Sequence, residues 1–475
     1  MHQALLSVAP EAFRPPNPFS ALEIARDGEA RNSPLGAGRV TSPESLLERA
    51  RALAFPRFAG TDGERRAADL VAERLAAHGL AVAREPFRAG RRAIRVYQRA
   101  LFGAGAALVA LTGVGAARDP GLGALGAVAL LALLARSARW TPRIERLFDA
   151  APWIESLNVV ARRPAPPRDL ARADESERPR DPTSPAHPEP PPPPISIVLL
   201  AHLDSKSSRL PTFFTVGSLL LTLVVTAALG AWSLLALAGA ARGPDPRVAL
   251  PAALAAAAAL LAVALLQRSG NASPGAMDNA SGLAVLLECA LSLPADPALA
   301  AADLTFVATG AEEIGLAGAM RWIQAHAGEH DSARTLFVNV DSVGVGSGLL
   351  ASDVGGRAPT GEPTRDLVAR AARRAGVRVR RLPFLLGAGV DTMPIRARGY
   401  ATVTILGQVL GAASRRMHTA RDTVERLSEP ALRDAAALAI ALAHEAAAAD
   451  PPAAAATAPP AAAPPAPAPP AAPPL

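Results

Sequence analysis

Cysteine, lysine and tyrosine are nearly missing from this chain of 475 residues. The single cysteine, Cys289, excludes an intrachain disulfide, and its apolar helical surroundings predict a buried small hydrophobe. The single lysine, Lys206, leaves arginine to carry almost all of the positive charge, which with abundant Ala and Pro reads as coding bias from a GC-rich genome. Two tyrosines and 4% aromatic residues leave no basic stripe interleaved with aromatics, so the formal charge of +7 does not point to nucleic acid. The opening Met1-His2-Gln3-Ala4-Leu5-Leu6 has neither a basic n-region nor a long apolar h-region, so no cleaved signal peptide is expected.

What is present is apolar sequence in long runs. Half of the residues are hydrophobic, and the length suits one large domain with insertions. Residues 100–135 hold two apolar halves separated by Arg118 and Asp119, and residues 211–267 hold two more separated by Arg242, Asp245 and Arg247. A membrane span needs about 20 apolar residues, with a lower limit near 17, so two inserted transmembrane hairpins, four helices in all, are expected. Three segments resist ordering: a Pro- and Gly-punctuated lead-in over 1–41, a Pro-rich charged insertion over 163–194, and a Pro/Ala tail over 450–475. The remaining 42–99, 145–210 and 268–449 form the water-facing domain.

Within that domain, short near-continuous apolar runs at 157–161, 195–201, 304–309, 335–340 and 400–406 alternate with helical patterns at 282–293, 318–327, 364–375 and 424–449. Runs of this kind belong to strands covered on both faces, so the fold class is α/β: a mixed sheet with a mostly parallel core, flanked by helices. Three runs end in polar residues. The first delivers His202-Leu203-Asp204, the second Glu312-Glu313, the third Asp341. Ligands of open α/β sheets bind outside the carboxyl ends of the strands, so these residues should converge, together with Asp278 in Gly275-Ala276-Met277-Asp278-Asn279-Ala280-Ser281-Gly282 and with His418. Two histidines and several carboxylates suit zinc or another divalent metal. A bridging carboxylate lets such a set serve two metals about 3.5–4 Å apart. Taken singly, each residue also has an ordinary structural explanation: a buried histidine, a helix cap, a turn acid, a surface histidine.

In this order the motifs His-x-Asp-Ser, Asp-Asn-Ala-Ser-Gly, Glu-Glu-x-Gly, Asn-x-Asp and Met-His-Thr-x-x-Asp-Thr, from His202 to Thr423, resemble the M28 family of zinc metallopeptidases. The resemblance implies an aminopeptidase-like fold and two zinc ions per chain. Asp278 would bridge them, Glu313 and His418 would complete one site, and His202 and Asp341 the other. It implies Glu312 as the general base that deprotonates a metal-activated water, and Asp204 as acceptor of the free ring N–H of His202. Where many members carry Asp-His, this chain has Asp391-Thr392. A single-zinc glutaminyl cyclase and an inactive peptide-binding receptor of the same fold are the alternatives. The expected partners are peptide substrates and the lipid bilayer, with the oligomeric state open. Because the second hairpin begins a few residues after Asp204, the site should lie within roughly 25 Å of the membrane surface. Arginines crowd the domain side of the first hairpin, so the positive-inside rule predicts a multi-pass protein of a bacterial inner membrane with its catalytic domain in the cytoplasm.

Overall fold

The computed structural model describes residues 44–137, 141–163, 194–382, 389–409 and 411–448. The lead-in, the Pro-rich insertion apart from Arg163 and Pro194, and the tail lie outside these residues. The chain opens with α1 (Leu46–Leu53), α2 (Asp62–Ala77) and β1 (Ala81–Gly90), then makes a first apolar hairpin from α3 (Arg91–Arg118) and α4 (Pro120–Ser137). After α5 (Pro142–Leu147) come β2 (Trp153–Arg163), β3 (Ser196–His202) and the two-residue β4 (Ser207–Ser208). The second hairpin follows, α6 (Thr212–Leu237) and α7 (Pro246–Leu266), closed by β5 (Ser269–Gly270). The rest runs α8 (Ser281–Ser292), β6 (Asp303–Thr309), α9 (Ala317–His326), β7 (Thr335–Asp341), β8 (Leu349–Gly355), α10 (Thr364–Ala375), β9 (Val379–Leu382), α11 (Thr392–Arg396), β10 (Ala401–Leu406) and α12 (Glu429–Ala447).

Eight strands make one sheet in the order β1-β2-β6-β3-β7-β10-β8-β9. Its middle, β6-β3-β7-β10, is parallel, while β1, β2 and β8 pair antiparallel at its flanks. Every residue of β3 and β7 is buried, as the unbroken apolar runs require of strands with helices on both faces. The register sets His202 beside Thr309 and Asp341 beside Leu406, so the polar residues of three strands emerge at one edge. The last helix starts later than its apolar pattern. Val424–Arg426 is a separate 3₁₀ turn, and α12 begins at Glu429 with Pro430 in its first turn, where a missing N–H does no harm.

Among the described residues three helices are long and apolar enough to cross a bilayer: α3, α6 and α7. Against the expected four, α4 is apolar but shorter. Its sequence turns polar at Arg136 and Ser137. The hairpins pack through small residues. A Cβ on Gly113 would stand 2.3 Å from the Cβ of Ala253, so α3 and α7 touch along their backbones there. Inside the bundle, the hydroxyls of Thr112, Ser218 and Thr222 return to carbonyls one turn earlier, which satisfies them without water. The outer faces are different. Leu111, Leu125, Val128, Val224, Leu234 and Leu265 are each 60% or more exposed, a continuous apolar exterior of a kind soluble monomers avoid.

Candidate metal centre

Each predicted strand end delivers its side chain to one place. His202 and Asp341 are the last residues of β3 and β7, and Glu312–Ile314 is a 3₁₀ turn just beyond β6. Asp278 lies on the irregular turn Ala276–Ala280 that feeds α8, and His418 on the loop after β10. Four non-glycine residues here hold left-handed backbone: Ala311, Leu316, Ser342 and His418, with φ of 51°, 64°, 50° and 61°. Such conformations persist only where surrounding bonds enforce them, and they gather at sites that need a fixed geometry.

The side chains form two groups. His202, Asp278 and Asp341 bring one ligand atom each within 4.8 Å of one another, as do Asp278, Glu313 and His418. Asp278 belongs to both, with Oδ1 3.0 Å from His202 Nε2 and Oδ2 2.9 Å from His418 Nε2. Asp341 Oδ1 lies 3.7 Å from the same His202 nitrogen. Glu313 Oε1 is buried without a hydrogen-bond donor among the described residues; His418 Nε2 stands 3.3 Å away but is closer to Asp278.

Electrostatically the pocket gathers more carboxylates than the positive charge of Lys206 can offset. Burial, and the neighbouring Glu313 carboxylate, push Glu312 well above the usual carboxylate range. Against its burial, His202 is raised well above its ordinary value by Glu312, Asp204, Asp278 and Asp341. His418 is likewise pushed up to about 9, burial and Lys206 opposing, Glu313 and Asp278 prevailing. Lys206 and protonated imidazoles are thus what the protein itself offers to offset these carboxylates. A dication held by these ligands would do so more fully and would return histidine to the neutral form that ligates. The donor set, two imidazoles and carboxylate oxygens around an orphaned Glu313 oxygen, fits zinc.

Asp204 differs from expectation. The ring Nδ1 of His202 meets the main-chain carbonyl of Asp204 at 3.0 Å, while the carboxylate is 3.7 Å away. That carboxylate instead accepts the backbone N–H groups of Glu312, at 2.9 Å, and Glu313, at 3.1 Å. A two-residue step along the chain curls the carbonyl back to the ring and frees the carboxylate for the next strand's turn, so Asp204 positions the Glu312-Glu313 turn. Thr392 is buried and shares a hydrogen bond with Thr404 at 2.8 Å.

Several residues that hold the centre together gave little warning in sequence. Arg57, fully buried, donates to the carbonyls of Leu203, Pro274 and Gly275, clamping the turn after His202 to the turn before Asp278. Glu64 accepts from Gly60, Ser156 and Ala311, and Asp422 accepts the N–H groups of Met277 and Asp278. Nothing in local sequence separates Arg57 or Glu64 from surface charges. Lys206 had a signal, as the lone lysine two residues after Asp204: its Nζ lies 2.5 Å from Glu313 Oε2. Burial works against its charge, but the carboxylates of Glu313 and Glu312 outweigh that and hold the ammonium above its ordinary range. Thr212, the first residue of α6, sets its hydroxyl 3.0 Å from His418 Nδ1. The second hairpin therefore begins in contact with a candidate ligand, far inside the roughly 25 Å that chain length allows.

Residues 257–443 match the family model for peptidase family M28. Over that stretch, well under half of its length, the chain is similar to M28 peptidases. The match includes Asp278, Glu312, Glu313, Asp341 and His418; it begins within α7, the second helix of the hairpin that separates them from His202 and Asp204. Aminopeptidase YwaD of Bacillus subtilis (strain 168) is 30% identical over 182 residues, 37% of this chain and 38% of that relative. The aligned region thus spans well under half the length of that curated relative. Among solved structures, a zinc aminopeptidase from Bacillus subtilis is 17% identical, with 84% of this chain and 93% of that one covered at a TM-score of 0.45. An Acidobacteriales bacterium glutaminyl cyclase is 16% identical, with 86% and 97% covered at 0.44. At those TM-scores neither likeness distinguishes one activity from the other.

Proposed function

We propose that this chain is a membrane-anchored, two-zinc aminopeptidase that removes amino-terminal residues from peptides. The observation that carries the proposal is the pair of ligand groups sharing Asp278. In this reading His202 and Asp341 hold one zinc, Glu313 and His418 the other, and Asp278 both. Zinc bound there supplies Lewis acidity, polarising a peptide carbonyl and acidifying water. The rest is work for the chain. Glu312, its proton affinity raised by burial and by Glu313, takes a proton from the attacking water and passes it to the departing amine. Asp204 fixes the turn on which that carboxylate stands. The test uses the full-length protein in detergent: zinc per chain, and release of chromophore from amino-acyl anilides with and without chelator. Two zinc ions and chelator-sensitive release are expected. One zinc, with cyclisation of N-terminal glutaminyl peptides in place of hydrolysis, would transfer the chain to the cyclases.

The apolar exterior and the length of α3, α6 and α7 support a multi-pass membrane protein, with α4 as a short fourth crossing. Both hairpins then return to the side they left, which keeps every ligand on one face of the bilayer. Arg91, Arg92, Arg95, Arg99, Arg136, Arg143 and Arg146 flank the first hairpin on that side, against Arg118 in its turn. By the positive-inside rule that side is the cytoplasm of a bacterial inner membrane. A phosphatase reporter should be active when fused at Pro244 and silent at the carboxyl end; the opposite result reverses the orientation.

A further inference from the structure

A cleft between the two hairpins opens onto the metal centre. Its walls include Arg91, Arg95 and Arg99 from α3, Phe102 further along the same helix, Val263 from α7, and Glu313 at the far end, around about 570 Å³ of space that is partly open to the surroundings. The three arginines stand four residues apart, hence on one helix face. Among the described residues none of the ion pairs includes Arg91, Arg95 or Arg99. Arg91 lies over the Phe58 ring at 4.6 Å, and Arg95 and Arg99 are exposed. No acidic residue occupies the first turn of α3, where the helix dipole is also positive. This face gathers positive charge with no anion of its own.

The position of the cleft identifies its occupant. At about 1.5 Å per residue the 28 residues of α3 extend about 42 Å, against a hydrocarbon core of about 30 Å. Roughly the first eight residues, Arg91 to Gln98, therefore stand in the headgroup layer with Arg99 at its boundary, and Phe102 and Val263 lie at the depth of the acyl chains. Charge above and apolar wall below, within one cleft, is the profile of an anionic phospholipid. A soluble acidic peptide matches the arginines but not the lower wall, where its backbone N–H groups would find no partner.

We infer that the cleft between α3 and α7 is a binding site for one anionic phospholipid, whose phosphate is held by Arg91, Arg95 and Arg99 and whose headgroup reaches the turn carrying Glu313. The inference rests on the membrane reading above, and the experiment separates the two. The full chain in mild detergent is titrated with phosphatidylglycerol or phosphatidylcholine and weighed by native mass spectrometry. One phosphatidylglycerol retained in preference to phosphatidylcholine is expected. A juxtamembrane arginine contributes about fivefold to anionic-lipid affinity, so Arg95→Gln should lower retention about fivefold and the triple glutamine variant about a hundredfold. Arg92→Gln, whose residue does not line the cleft, should change nothing. Arg95 is exposed, so its single variant keeps the test valid should the triple variant fail to fold. Equal retention of both lipids, undiminished retention by Arg95→Gln, or displacement by inorganic phosphate or an acidic peptide would overturn the lipid site. Failure of the chain to sediment with membranes would instead remove the membrane reading beneath it.

Discussion

The two ligand groups share Asp278 but are made of different material. His202 and Asp341 end adjacent buried strands at the centre of the sheet, and their positions follow from backbone pairing. Glu313 and His418 lie on turns; Asp204 holds the turn of Glu313, and the base of the second hairpin adds Lys206 against Glu313, Thr212 against His418, and the Ser208 N–H to the His418 carbonyl at 2.8 Å. One half of the centre is thus held by the sheet and the other in part by an inserted element. A hairpin anchored in a bilayer can influence the second half without disturbing the first.

The largest expected effect falls on neither half. Glu312→Gln should lower turnover by about 10²–10⁴-fold with zinc content unchanged, since its carboxylate is assigned to the proton and not to a metal; a zinc lost from this variant would place Glu312 among the ligands. Zinc titration of metal-free protein then resolves the comparison itself. Asp278→Ala should weaken both binding events, His202→Ala and Asp341→Ala one of them, Glu313→Ala and His418→Ala the other, and any different sorting breaks the partition.

Smaller and more pointed is Thr212→Val, which removes the hydroxyl beside His418 Nδ1. Loss of such a partner typically weakens a metal site 10–100-fold. The loss should appear only in the binding event that His418→Ala abolishes, with Thr212→Ser restoring it. Equal weakening of both events would mean that the hairpin acts on the fold as a whole. The smallest effect concerns Glu64, which accepts the Ala311 N–H at the start of the Glu312-Glu313 turn. Burial, then the nearby Asp204 carboxylate, raise Glu64 to about 7 from an ordinary value of 4.5. Because the folded pKa is the higher one, this group's contribution to stability is present below about pH 4.5 and fades as pH rises to about 7. Glu64→Gln should therefore flatten the fall in thermal midpoint across that window, and an unchanged pH profile would show Glu64 to titrate normally.

Much of this was legible beforehand because strand ends are legible. An unbroken apolar run that stops at His202, at Gly310 before Glu312, or at Asp341 announces both a buried strand and the edge at which its last residue emerges. The hairpins were legible for the same reason, an apolar length with no charge inside. Arg57 and Glu64 were not, because a buried ion satisfied by distant carbonyls and N–H groups looks in sequence like any solvated charge. Asp204 was half legible: its place near the centre was expected, but which of its oxygens meets His202 depended on the path of the turn.

The order of residue types along the chain alone determined the α/β class, the five candidate ligands and the apolar insertions, since periodicity and motif spacing are local properties. Tertiary structure decided that Asp278 turns one oxygen to each group, that Asp204 grips the Glu312-Glu313 turn by its carboxylate, and that Thr212, the first residue of the long apolar α6, meets His418. Those contacts join segments up to 206 residues apart, and only the closing of the sheet and the packing of the hairpin against it bring them within a hydrogen bond.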